Sequence, residues 1–165
     1  MTLSDEIAQT GQTVFVHLGP HKTGSTAIQR MLHQNEGWLA DHDIGLVSGD
    51  AAHSAAVALA RKEFELAEDT LSRLNERIMD APFSKFILSQ EDFSGDLFGR
   101  GRSRKVYPTL TKNLRILTRA FSPNRVQFLF FHRPEDAWLK SCYAQHLRYR
   151  AKFNSYDSEP PPEPT

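Results

Sequence analysis

VFVHLGPHKTGSTAIQRML, residues 14–32, runs from a short apolar stretch through a glycine-containing turn into an amphipathic helical pattern. Strand, turn and helix in that order predict an α/β unit, and the backbone N–H groups at such a turn make a natural anion site. Gly19 and Gly24 have the spacing of a nucleotide P-loop, but Ser25 stands where that motif requires its lysine. Lys22 lies inside the loop instead, so a standard ATPase or GTPase is disfavoured. The remaining pieces still suit an anion: a cation in Lys22, hydroxyls in Thr23, Ser25 and Thr26, and a helix start near Ser25. A tight turn in which Ser or Thr merely caps the helix is the alternative reading of the loop alone.

Outward from this segment, strand-like and helix-like patterns alternate. Residues 13–18 are rich in β-branched and aromatic side chains, and Ile28, Met31, Leu32, Trp38 and Leu39 fall near one helical face. A weak strand is expected at 44–48 and a helix at about 51–79, where Phe64, Ala67, Leu71, Leu74 and Ile78 are spaced 3, 4, 3 and 4. Such a stripe reads as core packing, and Pro82 stops it. KFILSQ (85–90) reads as a buried strand, and Leu110, Leu114, Leu117 and Phe121 mark a further helix. RVQFLFFH (125–132) is the most strand-like run in the chain, and Pro134, Glu135 and Asp136 then open a helix expected to reach about residue 153. This alternation predicts an α/β fold with a mainly parallel central sheet, as a P-loop-like three-layer sandwich. Residues 1–12 are expected to be a flexible leader, 13–153 the domain, and 154–165 a Pro-rich disordered tail.

Composition narrows the class of function. The chain has 165 residues, enough to bury roughly 70% of the surface its unfolded form exposes. Twenty basic and twenty acidic residues cancel, so no global field argues for nucleic acid or an anionic membrane. No apolar run reaches the ~18–20 residues of a membrane span. A single cysteine, Cys142, and a polar, acidic start unlike a signal peptide make a cytoplasmic setting the expectation. No metal-ligand cluster stands out.

In parallel sheets ligands sit beyond the carboxyl ends of the strands. Three candidates fall there: the Gly19 loop, Glu91 after the 85–90 strand, and Arg133 after the 125–132 strand. Arg133 could fork onto a phosphate, and Ser141, seven residues past Pro134, lies two helical turns along the same face. A surface Arg133 paired with Glu135 or Asp136 is the plainer alternative. Asp92 is expected to point away from Glu91 if the strand pleat continues. The run GRGRSRK (99–105) carries four positive charges, suited to a solvated loop or to a polyanionic acceptor. Trp38, Trp138 and Tyr143 read as core or helix-surface aromatics.

Taken together, HKTGST, ILSQEDFSG and FFHRPEDAWLKSCY carry a resemblance. The chain resembles the sulfotransferases that use 3′-phosphoadenosine 5′-phosphosulfate (PAPS), especially divergent bacterial members and the carbohydrate branch. The family's 5′-phosphosulfate loop has a Lys-(Ser/Thr/Gly)-Gly-(Ser/Thr)-Thr core between strand and helix, which Lys22-Thr23-Gly24-Ser25-Thr26 matches. Its 3′-phosphate motif is a strand ending in an arginine next to proline, with a serine eight residues on. Arg133, Pro134 and Ser141 match that pattern.

The resemblance implies transfer of a sulfuryl group from PAPS to a hydroxyl or amine, with no metal and with a glycan among the possible acceptors. It implies that Gly19, Lys22, Thr23, Gly24, Ser25 and Thr26 hold the phosphosulfate, that Lys22 also stabilises the leaving group, and that Arg133 and Ser141 hold the 3′-phosphate. A glutamate base in the carbohydrate branch points to Glu91, and a histidine base elsewhere in the family makes His53 the second candidate. His17 and His21 flank the loop with weaker claims. Domains of this family are longer, so the fold is expected to lack the C-terminal part that supplies a lid and adenine contacts. Two alternatives stay open: a catalytically incompetent remnant that still binds nucleotides, and a P-loop kinase-like phosphotransferase.

Overall fold

A computed structural model describes residues 11–47, 49–95, 97 and 105–156, with side chains described as far as residue 148. Most of the leader, the basic run apart from Lys105, and residues 157–165 of the Pro-rich tail lie outside the described residues.

The described elements are β1 (Thr13–His17), α1 (Ser25–Gln34), α2 (Glu36–Asp41), β2 (Ile44–Val47), α3 (Asp50–Ala60) and α4 (Phe64–Met79). After them come β3 (Lys85–Ser89), a 3₁₀ turn (Glu91–Ser94), α5 (Leu110–Ala120), β4 (Arg125–Leu129) and α6 (Glu135–Tyr156). The four strands form one sheet in the order β2-β3-β1-β4, every pair parallel. Parallel neighbours need crossovers, which the helices supply. The fold is therefore the expected α/β sandwich with a parallel central sheet. No helix among the described residues is long and apolar enough to cross a membrane.

The core follows from the period-2 pattern of the central strands. Val14 and Val16 of β1 and Phe86 and Leu88 of β3 are buried beside Ala55, Ala56 and Leu59 of α3, Leu71 and Leu74 of α4, and Ile116 and Leu117 of α5. At the N-terminal end of the sheet, Gln12 is tied in: its backbone N–H donates to Asn124 (2.9 Å), and its amide donates to the carbonyls of Ala81 (3.1 Å) and Phe83 (2.9 Å). Gly45 in β2 has no side chain because the Phe86 ring occupies its place; a Cβ there would lie 2.5 Å from that ring.

Three expectations are corrected. The helix expected at 51–79 is two helices, broken where Lys62 turns into the left-handed region (φ 64°) and closes α3. The stripe from Ile28 to Leu39 is also interrupted, at Asn35, so Leu32 and Leu39 are buried while Met31 and Trp38 face solvent. The most strand-like run, 125–132, forms β4 only to Leu129 and lies at the sheet edge, leaving Phe130 and Phe131 about half exposed (47% and 49%). Hydrophobicity states how strongly a segment gains from burial; the order of strands decides whether neighbours are there to bury it.

The order has a consequence for ligands. From β1 the chain travels to the β3 side of the sheet, and it returns to set β4 on the other side of β1. The strand order thus reverses at β1, and crevices open at the carboxyl ends of strands where that happens.

Candidate functional site

The loop after β1 is shaped by three residues in the left-handed region: Gly19 (φ 76°), Lys22 (φ 69°) and Gly24 (φ 95°). The two glycines adopt it freely, whereas for Lys22 it costs about 1 kcal/mol. Gly19 also approaches Glu91 closely, since a Cβ on it would lie 3.0 Å from the Glu91 Cβ. Thr23 donates its hydroxyl to the Pro20 carbonyl (2.6 Å), and the Ser94 hydroxyl lies 3.1 Å from the carbonyls of both Leu18 and Gly19. Gly24 precedes α1, and among the described residues no side chain caps that helix. The capping role open to Ser or Thr in this loop is therefore not taken. The Ala27 N–H already donates to the Gly24 carbonyl (2.9 Å), and the N–H groups of Ser25 and Thr26 with the positive dipole end remain for an anion.

A cavity of about 480 Å³ lies against this helix start. Lys22, Gly24, Ser25 and Thr26 line it from the loop, Glu91 from the end of β3, and Arg133 and Ser141 from the β4–α6 junction. Seven of the positions singled out in the sequence thus meet in one pocket, from three separate strand ends. Gly19 and Thr23 shape the loop from outside the lining, Thr23 with its hydroxyl turned back onto Pro20. His53 stands apart on α3, exposed, with its Nδ1 3.4 Å from the Gln90 amide.

Lys22 and Arg133 supply positive charge and Glu91 and Asp92 negative charge in the same pocket. Lys22 donates to the Gln145 side-chain oxygen (3.2 Å). Glu91 accepts from the Gln29 amide through Oε2 (2.6 Å), which leaves Oε1 the oxygen outside that bond. The expectation that Asp92 points away from Glu91 is overturned. Extended backbone ends at Gln90, and Glu91–Ser94 curls into a 3₁₀ turn that brings both carboxylates to the pocket. Asp92 pairs with the loop histidine, its Oδ1 2.9 Å from His21 Nε2.

Sequence reasoning passes over Gln29 and Gln145, aims Asp92 away from the site and gives His21 little weight. The two glutamines had a signal. Gln29 follows Ser25 by four residues and Gln145 follows Ser141 by four, so each shares a helix face with a residue already singled out.

His17 is a packing residue. It is buried, its Nδ1 lies 2.7 Å from the Ser89 hydroxyl, and its ring meets Phe131 edge-on at 5.2 Å. Its Nε2 has no partner among the described residues. Burial holds its pKa below the usual 6.5, with the nearby Glu91 charge pulling the other way. Because the unfolded chain then binds more protons at this site than the folded one, the His17 contribution to stability is fully present above about pH 6.5 and is lost as pH drops below it. Thermal melts should show Tm decreasing between about pH 7 and pH 5, and His17→Asn should flatten that decrease.

Among the described residues, no group of three or more His, Cys, Asp or Glu side chains converges as a metal site. Compared with known proteins, the chain matches no protein-family model, no curated protein and no solved structure.

Proposed function

We propose that the chain is a sulfotransferase-like enzyme that takes the sulfuryl group of PAPS and transfers it to an acceptor hydroxyl or amine, a carbohydrate among the candidates. The observation that carries this reading is the convergence, in one pocket, of Lys22, Ser25 and Thr26 with Arg133, Ser141 and Glu91. Its size suits a small-molecule ligand, for which sites run to about 300–1,000 Å³. The uncapped start of α1 beside Lys22 offers donors and positive potential to a phosphosulfate. Arg133 offers a guanidinium fork, and Ser141 a hydroxyl, to a second phosphate.

When bound, PAPS supplies an activated sulfuryl group and a bisphosphate leaving group. In the transfer, a bond forms from the acceptor oxygen or nitrogen to sulfur as the bond from sulfur to the 5′-phosphate oxygen breaks. The electron pair of that bond departs on adenosine 3′,5′-bisphosphate, and the acceptor proton passes to Glu91. Gln29 takes one lone pair of Glu91 Oε2, which makes Oε1, outside that bond, the freer oxygen to receive the proton. Lys22 and the first-turn N–H groups of α1 stabilise the charge that builds on the leaving phosphate. Lys22 can do so while keeping its bond to Gln145, because an ammonium carries three donors and Gln145 takes one. As in phosphoryl transfer, most of the protein's contribution is placement and charge stabilisation. The chain's single cysteine, Cys142, excludes an internal disulfide and is what supports a reducing, cytoplasmic setting.

Calorimetric titration tests the donor site. Adenosine 3′,5′-bisphosphate should bind at least about tenfold more tightly than ATP–Mg²⁺, because only the bisphosphate presents a 3′-phosphate to Arg133 and Ser141. Equal affinities, or a preference for ATP, would sink the reading.

A further inference from the structure

Four non-glycine residues among those described adopt left-handed backbone: Lys22, Asp43, Lys62 and Tyr107. Asp43 and Lys62 directly follow the C-caps of α2 and α3, where such a residue commonly ends a helix. Lys22 and Tyr107 (φ 45°) end no helix, and they meet at the same place, on either side of His21. Strained backbone that nothing local explains persists only where its surroundings over-determine it.

His21 is held by its backbone and its ring. Its N–H donates to the Tyr107 hydroxyl oxygen (2.9 Å), and its carbonyl accepts from the Trp138 indole N–H (2.8 Å). Its ring lies between two partners, Nε2 2.9 Å from Asp92 Oδ1 and Nδ1 3.2 Å from the Tyr107 oxygen. A carboxylate only accepts, so Nε2 donates to Asp92, and in the neutral ring Nδ1 is the acceptor for the Tyr107 hydroxyl hydrogen. Burial pushes the Tyr107 pKa up to about 12, so this hydrogen is present throughout the neutral range. The two aromatic rings also stack, with centroids 6.0 Å apart. Tyr107 itself is buried and contributes nothing to the pocket lining.

We propose that Tyr107 and Asp92 are positioning residues which, by clamping His21, hold the next residue, Lys22, in the left-handed conformation from which its ammonium enters the pocket. Nothing in the phosphosulfate loop motif specifies this clamp. Its partners come from the 3₁₀ turn after β3, from α6 and from the segment before α5. With the clamp loosened, residue 22 relaxes to negative φ and redirects its side chain. The consequence for ligand binding rests on the donor site proposed above; the backbone consequence does not.

Two measurements test the proposal separately from that reading. In the ligand-free protein, the backbone ¹³C and ¹⁵N shifts of residue 22, which report the sign of φ, should leave the left-handed range in Tyr107→Phe. Unchanged shifts in a folded Tyr107→Phe would overturn the clamp whatever the protein binds. With adenosine 3′,5′-bisphosphate as probe, Tyr107→Phe should weaken binding about tenfold in the native background but by less than about twofold in a Lys22→Ala background. An equal loss in both backgrounds would mean that Tyr107 acts by another route and would also overturn the proposal. Absence of bisphosphate binding to the native chain would remove the donor reading and leave the shift measurement to decide the clamp. If Tyr107→Phe fails to fold, Asp92→Asn and Asp92→Ala replace it. The amide of the Asp92→Asn variant still accepts from Nε2–H and should keep the native shifts at residue 22, whereas Asp92→Ala should lose them. Identical shifts in the two variants would count against the clamp.

Discussion

Glu91→Gln should lower kcat by about a hundredfold to ten-thousandfold while leaving the affinity for adenosine 3′,5′-bisphosphate within about twofold. The substitution keeps size and shape but removes the group able to take the acceptor's proton. Glu91 lines the pocket beside Lys22, and its hydrogen bond there is to the neutral Gln29 amide, so a neutral amide at this position should cost turnover rather than donor binding. Release of the bisphosphate from PAPS, followed across a panel of hydroxyl and amine acceptors, gives kcat; calorimetry gives the affinity. The contrast with His53 makes the experiment decisive. His53 stands outside the pocket lining, beside Gln90, so His53→Ala should leave kcat close to that of the native chain. Full activity in Glu91→Gln together with loss in His53→Ala would transfer the base assignment to the histidine.

Arg133→Ala should cost about thirtyfold to a hundredfold in bisphosphate affinity, as expected for about 2–3 kcal/mol of charge-assisted hydrogen bonding. ATP–Mg²⁺, with no 3′-phosphate, should bind the variant as it binds the native chain, so the preference between the two nucleotides should vanish. Arg133→Lys should recover only part of the loss, because an ammonium reproduces the charge but not the planar fork. Paired titrations of both nucleotides against all three proteins measure this. Bisphosphate affinity indifferent to Arg133 would mean that the strand-end arginine is a surface residue, the plainer alternative its neighbours Glu135 and Asp136 suggest.

Much of the fold is visible along the chain because its causes are local. The four strands lie close to where β-branched and aromatic runs put them, and the α4 and α5 stripes reach the core at Ala67, Leu71, Leu74, Ile78 and Leu117. The breaks are not visible. Lys62 and Asn35 interrupt helical patterns without a proline or a glycine, because the turn each makes is settled by what the flanking helices pack against. β4 is the most strand-like run on hydrophobicity and yet lies at the edge, since position in a sheet depends on every crossover at once.

The candidate site divides in the same way. The sequence by itself determined the local chemistry: a lysine and hydroxyls on a turn that enters a helix, a carboxylate just past a strand, and an arginine with a serine two helical turns on. It could do so because each of these depends on spacing within one element and its flanking turn. Only the tertiary structure decided that they share a pocket, that Asp92 joins Glu91 there, and that Gln29 and Gln145 engage Glu91 and Lys22. It also brought Tyr107, 85 residues beyond Lys22 in the chain, against His21. Contacts across such separations arise from the parallel sheet, which aligns the carboxyl ends of strands distant in sequence, and no local periodicity encodes that alignment.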